Sequence, residues 1–202
     1  KNLFSHIIGQ IDDDNNGISG LEKSLDSQLK NNDKSIQLTV DKDIQFLIRE
    51  ELIKFNKIFN TKGSSAILMN VNNGEIISIV SLPDFNLNQR TTIDDINFIN
   101  RATKGVYELG SVFKTFTLTA ALNENIVEPE TEFIDLKKSI KCGSNIINEY
   151  NKKIPSNLTA EQILIRSGNI GSVRIAQSVG LEKFKIFMEN MGLIHPIKFD
   201  IE

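Results

Sequence analysis

The chain has 202 residues, of which 40% are hydrophobic and 24% are charged, values typical of a globular domain with one core of moderate size. Its net charge of −3 gives no broad basic surface, so the sequence does not predict nucleic acid as a partner. No apolar run in the sequence reaches the roughly 20 residues that span a bilayer.

A strand and a long helix are predicted after a polar N-terminal stretch. The residues before position 35 are rich in Gly, Asn, Asp and Ser, which favour turns. Residues 35–40 alternate apolar and polar side chains, as a half-buried β-strand does. Asp41 has the character of a helix N-cap, and apolar residues then recur at helical spacing from Ile44 to Ile58. We therefore expect an amphipathic helix that begins directly after the strand.

A β-hairpin is predicted next. Residues 65–71 and 75–81 form two apolar runs of strand length. The segment between them contains Asn73 and Gly74, which adopt positive φ at little cost and favour a tight turn. Pro83 is expected to end the second strand, because proline cannot donate to the hydrogen-bond ladder. Residues 84–108 are polar and without regular pattern.

The second half of the chain is predicted to be mainly helical. A helix is expected over about 111–122, and the segment that starts at Thr159 has the form of a capping box that opens another. Helical patterns also cover residues 171–179 and 181–190, with Gly192 as a C-terminal stop. Helices that flank a mainly antiparallel sheet built from hairpins predict an α+β fold.

Ser111 and Lys114 form the first pattern that points to chemistry. They are three residues apart at the start of a predicted helix, and so share one face of it. The helix N-terminus favours a developing alkoxide on Ser111. Val112, Phe113 and Phe116 could desolvate the Lys114 ammonium and lower its pKa, so that the neutral amine accepts the serine proton. By itself, S-x-x-K is equally typical of an N-cap serine followed by a solvated lysine.

A second pattern, Ser167-Gly168-Asn169, follows 56 residues after Ser111. A serine hydroxyl can pass a proton, and an asparagine amide can both donate and accept hydrogen bonds. The alternative is a turn at the end of a helix, which favours the same three residue types. Alone, this pattern does not decide between the two.

Taken together, the two patterns resemble the set found in penicillin-binding proteins and β-lactamases, in which S-x-x-K is followed by S-x-N and then K-T-G. Other segments, in the same order along the chain, resemble the transpeptidase domain of class B penicillin-binding proteins of the division type. These are a lead-in at residues 6–9 and 17–26, the entry to the first helix at 38–45, the first hairpin at 63–80, the loop at 81–88, and the approach to the nucleophile at 100–102 and 107–114.

The resemblance implies a penicillin-binding transpeptidase or serine β-lactamase-like fold without a cofactor. Residues 1–36 would end the pedestal or linker region, and residues 37–202 would form the N-terminal portion of the transpeptidase domain. The implied activity is the cross-linking of peptidoglycan stem peptides that end in D-Ala-D-Ala, with β-lactams as inhibitors. A membrane anchor would precede this chain, the catalytic domain would face the periplasm at the bacterial inner membrane, and other cell-wall or division proteins would be partners.

The same resemblance implies the roles of four residues. Ser111 would be the nucleophile and Lys114 the base that takes its proton. Ser167 would relay a proton to the leaving D-Ala, and Asn169 would orient Lys114 and the substrate amide.

Two departures from the family pattern stand out. Leu109 occupies a position where the family usually has proline, which removes a stiff φ but no catalytic group. The tripeptide K-T-G does not occur in the sequence. Since the strand that bears it would supply part of the oxyanion hole and a substrate-binding edge, we expect this chain to be an incomplete, truncated domain that is inactive as it stands.

Two other functions use the same serine. A penicillin-sensing receptor domain would be acylated without turnover, but the lead-in between His6 and Asp26 argues against it. A β-lactamase would need a general base for a deacylating water, for which the sequence offers no candidate.

The remaining polar patterns predict no metal site. Asp12, Asp14 and Asn16 fit the first half of an EF-hand loop, but Lys23 stands where the bidentate glutamate is required, so a solvated turn is expected. The single cysteine, Cys142, excludes a disulfide within the chain and is expected to be an ordinary loop residue.

Overall fold

The computed structural model describes residues 2–31, 35–89, 96–197 and 199–201. They form two compact units, one of residues 1–107 with 198–202 and one of residues 108–197. The helices are α1 (Ser5–Ile8), α2 (Gly20–Ser24), α3 (Asp26–Asn31), α4 (Lys42–Phe59), α5 (Lys114–Asn123), α6 (Ala160–Ile165), α7 (Asn169–Val179) and α8 (Leu181–Asn190). The strands are β1 (Ser64–Met69), β2 (Ile76–Leu82), β3 (Glu132–Phe133), β4 (Ser139–Cys142), β5 (Asn145–Asn148) and β6 (Leu158–Thr159). Short 3-10 helices occupy Ile96–Phe98 and Gly110–Phe113.

Helix α4 begins where the sequence predicts. The Asp41 carboxylate accepts hydrogen bonds from the N–H groups of Asp43 and Ile44, so its N-cap role is confirmed. The strand expected over residues 35–40 is wrong, because these residues belong to no helix, strand or ladder. An alternating pattern fits one face of a strand, but a strand also needs a partner of matching register.

The buried face of α4 differs from the apolar stripe that the sequence indicates. Leu47, Phe55 and Ile58 belong to that stripe but are exposed. Gln45 is buried instead, and its amide makes four hydrogen bonds. Its oxygen accepts from Ser78 Oγ at 2.6 Å and from the Ile79 N–H at 2.9 Å, and its nitrogen donates to the carbonyl oxygens of Ile79 at 2.8 Å and Leu3 at 3.1 Å. The side-chain amide therefore satisfies both main-chain groups of Ile79 at the outer edge of β2, as a neighbouring strand would.

The predicted hairpin is confirmed. Strands β1 and β2 pair antiparallel from Ser64 opposite Leu82 to Met69 opposite Ile76. The turn closes through hydrogen bonds from the Asn70 N–H to the Glu75 oxygen and from the Gly74 N–H to the Asn70 oxygen, and Gly74 has a φ of 78°.

The second unit is built on a helical core. Its buried apolar residues come mainly from α5, α6 and α7 and from the loops that join the strands; they are Ala120, Ala121, Val127, Leu136, Ile154, Leu158, Ala160, Ile163, Ile170, Ile175, Val179 and Phe187. The capping box at Thr159 is confirmed, since Thr159 Oγ1 accepts from the Gln162 N–H and the Gln162 side chain accepts from the Thr159 N–H. The helices predicted over 171–179 and 181–190 are also confirmed, with α7 starting two residues earlier than expected.

In the part of the chain that the structure describes, the strands form three separate two-stranded antiparallel sheets, β1–β2, β3–β6 and β4–β5. Together with the helices they confirm the mixed α+β class. Within the described ranges, no helix combines the length and the apolar character needed to cross a bilayer.

Candidate active site

Ser111 and Lys114 lie at the start of the second unit, but the helix there begins differently from the prediction. Ser111 is on a 3-10 turn, and the α-helix starts only at Lys114. Three-residue spacing places side chains above one another on a 3-10 turn, so the two residues still share a side. Ser111 is exposed, and within the described residues its hydroxyl has no hydrogen-bond partner.

The Lys114 amine is held by three oxygen atoms. Nζ lies 2.6 Å from the main-chain oxygen of Ser167, 3.1 Å from Ser167 Oγ and 2.6 Å from Asn169 Oδ1. The carbonyl and amide oxygens can only accept, whereas the hydroxyl can both accept and donate. The structure thus brings Lys114, Ser167 and Asn169 together across 53 to 55 positions of sequence.

The surroundings of Lys114 favour its neutral form. Burial lowers the pKa of Lys114 below its ordinary value, and the negative charge of Glu149 opposes this by raising it. Phe113 and Phe116 pack with ring centroids 5.5 Å apart next to Lys114 in sequence. Val112, which the sequence suggests as part of the apolar cover, is 63% exposed and so provides little of it.

Ser167 occupies a turn between α6 and α7 with an unusual backbone. Its φ is 52°, in the left-handed region that is unfavourable for a residue with a β-carbon. The turn is closed by hydrogen bonds from the Ser167 N–H to the Leu164 oxygen and from the Gly168 N–H to the Ile163 oxygen. This conformation lets one residue present both its carbonyl oxygen and its hydroxyl to Lys114.

Sequence reasoning missed the residues that hold this turn from the other side. Gly168 is the N-cap of α7 and has no side chain to cap it. The carboxylate of Glu149 does so instead, accepting from the N–H of Asn169 at 2.9 Å and of Ile170 at 2.8 Å. The Asn169 side-chain nitrogen donates to the carbonyl oxygen of Asn148 at 2.8 Å. No local signal marks these residues, because their contacts cross 20 or more positions of sequence.

Small residues allow the helices of the site to approach closely. Ala120 and Ala121 of α5 are buried in the shared core. A β-carbon added at Gly171 of α7 would lie 2.6 Å from the side chain of Ile163 on α6. Since α7 starts at Asn169, this close packing fixes where Asn169 stands relative to α6.

The other polar candidates take structural positions. Asp12 Oδ1 accepts from the N–H groups of Asp14 and Asn16, as in a turn. His6 is buried, with Nε2 at 2.8 Å from the Asn97 oxygen, so that nitrogen carries a proton. The ranges that the structure covers contain no cluster of three or more His, Cys, Asp or Glu side chains suited to a metal ion. Cys142 is exposed and ends strand β4, rather than lying in a loop as expected.

Comparison with known proteins gives relatives over nearly the whole chain. The probable peptidoglycan D,D-transpeptidase FtsI of Caulobacter vibrioides is 31% identical over 203 residues, which cover 98% of this chain and 34% of that protein. Stage V sporulation protein D of Bacillus subtilis is 25% identical over 228 residues, covering 99% of this chain and 35% of that protein. The chain spans about a third of the length of these curated relatives.

Solved structures give the same fold. Penicillin-binding protein 3 of Mycobacterium tuberculosis matches with a TM-score of 0.79 at 24% identity, covering 94% of this chain and 45% of that one. The transpeptidase domain of penicillin-binding protein 3 from Burkholderia pseudomallei matches with a TM-score of 0.62 at 25% identity, over 77% of this chain and 42% of that one. The α+β architecture is therefore that of a penicillin-binding transpeptidase domain.

The family model of the penicillin-binding protein transpeptidase domain matches residues 64–202, which include the serine, lysine and asparagine described above. This chain belongs to that family, within the class B proteins of the FtsI and penicillin-binding protein 3 type.

Proposed function

We propose that this chain carries the acylation centre of a peptidoglycan D,D-transpeptidase that forms an acyl-enzyme on Ser111. The observation that carries the proposal is the Lys114 amine, held by Ser167 and Asn169 three residues after an exposed serine. Relatives that are named D,D-transpeptidases favour a cross-linking enzyme as the function, in preference to a receptor that is acylated without turnover.

The hydrogen bonds around Lys114 suit a base. A neutral amine has two N–H donors and one lone pair. The donors match the Ser167 carbonyl and the Asn169 amide oxygen, which can only accept. The lone pair is then left for a hydroxyl proton, and the lowered pKa of Lys114 enlarges the neutral fraction at neutral pH.

The proposed reaction has two halves. Lys114 takes the proton of Ser111, whose oxygen attacks the carbonyl carbon of the penultimate D-Ala. The main-chain N–H of Ser111 stabilises the oxyanion. The bond to the terminal D-Ala nitrogen then breaks, and Ser167 passes the proton from Lys114 to that nitrogen. In the second half, the amine nitrogen of a neighbouring stem peptide attacks the acyl carbon, the ester bond to Ser111 breaks, and the proton lost by the amine returns to the Ser111 oxygen. A β-lactam would stop at the acyl-enzyme.

The same proposal covers the domain organisation, location and cellular role of the whole protein. Residues 37–202 are the N-terminal portion of the transpeptidase domain, and residues 1–36 end a pedestal. The enzyme acts on the periplasmic side of the inner membrane, held by an upstream anchor, and serves cell division with other wall-synthesis proteins. Penicillin-binding protein 3 of Mycobacterium tuberculosis has been solved with ampicillin and with aztreonam, which supports β-lactams as ligands.

Fluorescent penicillin labelling of the full-length protein tests the nucleophile. Ser111→Ala is expected to lower the acylation rate by several orders of magnitude, since loss of a nucleophile typically has that effect. Ser27→Ala, an exposed serine on α3, is the matched control and should label normally. Undiminished labelling of Ser111→Ala at the same site would exclude Ser111 as the nucleophile.

Turnover separates the transpeptidase from a sensing receptor. The wild-type protein is incubated with a peptide that ends in D-Ala-D-Ala and an acceptor amine. Release of D-Ala with formation of the cross-linked product is expected. Acylation without D-Ala release over many enzyme equivalents would favour the receptor.

Residues 1–202 alone are expected to label with penicillin far more slowly than the full-length protein, because they lack the K-T-G motif. Labelling at the full-length rate would show that motif to be dispensable.

A further inference from the structure

Segment 148–150, which begins at the last residue of strand β5, contacts the Ser167 turn at four points. Glu149 accepts from the N–H groups of Asn169 and Ile170, at 2.9 and 2.8 Å. The Asn148 carbonyl accepts from the Asn169 amide at 2.8 Å, and the Tyr150 hydroxyl donates to the main-chain oxygen of Arg166 at 2.9 Å. These contacts bracket Ser167 on both sides in sequence.

The contacts of segment 148–150 fix which atom of Asn169 faces Lys114. An asparagine amide can rotate to exchange its oxygen and nitrogen. Here the amide nitrogen of Asn169 donates to the Asn148 carbonyl oxygen, so the amide oxygen is the atom that lies 2.6 Å from Lys114 Nζ. Glu149 in turn fixes the first two residues of α7, from which the Asn169 side chain projects.

We propose that Glu149 is a positioning residue for the acylation of Ser111, because its carboxylate fixes the start of α7 so that Asn169 and Ser167 hold the Lys114 amine. The inference rests on the proposed function and adds to it a residue outside the S-x-x-K and S-x-N motifs. Glu149 acts through Asn169 and touches no reacting atom.

The charge of Glu149 supports the assignment. Burial lowers the pKa of Lys114, and the negative charge of Glu149 acts against burial by raising it. Other charged side chains lie on α7 itself and on the helices packed against α5 and α7; they are Glu161, Arg174, Glu182, Lys183, Lys185 and Glu189. Removing the carboxylate therefore changes both the geometry and the proton affinity of the amine.

The test measures the second-order rate of Ser111 acylation by penicillin against pH in the full-length protein. Glu149→Gln keeps the size of the side chain but replaces one acceptor oxygen by a donor group, which faces an N–H of α7. Its rate is expected to fall about 10- to 100-fold, in the range that a displaced catalytic group produces. The rising limb of the profile, which reports deprotonation of Lys114, should move to lower pH because the Glu149 charge is gone.

Two variants separate positioning from folding. Glu149→Asp keeps the charge on a shorter side chain. The rising limb of its pH–rate profile should therefore stay at the wild-type pH, and its acylation rate should lie between those of the wild type and Glu149→Gln. Glu161→Gln, an exposed carboxylate in the first turn of α6, should match the wild type. All rates are normalised to the fraction of molecules that acylate in a stoichiometric burst. A wild-type rate and limb in Glu149→Gln, or a loss explained entirely by a smaller burst, would overturn the proposal.

A second measurement does not depend on acylation. Lys114 is labelled by reductive 13C-methylation, assigned with Lys114→Arg, and titrated by NMR. Glu149→Gln is expected to lower the midpoint of Lys114, and Glu149→Asp to leave it near the wild-type value. An unchanged midpoint in Glu149→Gln would overturn the role of Glu149 even if Ser111 is acylated, whereas failure of wild-type Ser111 to acylate would overturn the proposed function alone.

Discussion

Replacing Gln45 by leucine should destabilise the first unit more than any ordinary surface change. The Gln45 side chain is 1% exposed, and its amide makes three hydrogen bonds to buried groups and a fourth to the partly buried Leu3 carbonyl. Leucine fills a similar volume but can bond to none of these partners. The N–H and the carbonyl oxygen of Ile79 would then stay buried without these hydrogen bonds, and the partly buried Leu3 carbonyl would lose one.

The magnitude follows from these contacts. Each hydrogen bond contributes about 0.5–1.5 kcal/mol net, and a buried group left without a partner costs about 1–3 kcal/mol. Added apolar burial by leucine offsets about 1 kcal/mol. We expect a loss of about 3–5 kcal/mol, which corresponds to a fall in Tm of roughly 10 °C for a domain of this size.

Hydrogen exchange with mass spectrometry, combined with thermal unfolding of the full-length protein, measures this effect. The peptide that covers Ile76–Leu82 should lose protection in Gln45→Leu, since the outer edge of β2 loses its partner. Gln177→Leu, on an exposed position of α7, is the control and should change stability by less than about 0.5 kcal/mol. If Gln45→Leu unfolds within about 1 kcal/mol of the wild type with β2 still protected, the four hydrogen bonds do not carry the stability assigned to them here.

Three other changes test local interactions. Burial lowers the pKa of His6 below its ordinary value of about 6.5, so just below that pH the unfolded chain binds more protons than the folded one. The Tm should therefore fall as the pH is lowered from 7 to 5, and His6→Gln should make the Tm less dependent on pH over that range. Gly171→Ala should cost about 1–3 kcal/mol in urea unfolding through its contact with Ile163, and a cost that persists unchanged in an Ile163→Ala background would contradict that contact. Thr159→Ala should cost about 1 kcal/mol by loss of the capping box with Gln162, and an unchanged urea midpoint would show that the box adds nothing.

Local signals in the sequence predicted the elements whose causes are local. The Asp41 cap, the turn at Gly74 and the capping box at Thr159 each depend on hydrogen bonds within a few residues, and each is where the pattern places it. The strand over residues 35–40 was wrong because pairing depends on a partner that periodicity does not identify.

The candidate site also combines residues that a local pattern predicts with residues that only tertiary contacts identify. The motif residues Lys114, Ser167 and Asn169 come together as their pattern indicates, while their catalytic roles stay predictions. Glu149 could not be found from the sequence, because a glutamate after a short strand has no distinctive spacing and its contacts are tertiary.

The left-handed backbone of Ser167 has a consequence for the engineering of this protein. A residue with a β-carbon is less stable in that conformation than glycine by roughly 1–2 kcal/mol. Ser167→Gly would therefore gain thermostability while it removes the hydroxyl beside Lys114. Directed evolution for heat resistance alone should enrich glycine at this position, and selection for cell-wall growth should restore serine. Position 167 is thus a site where the two kinds of selection act in opposite directions.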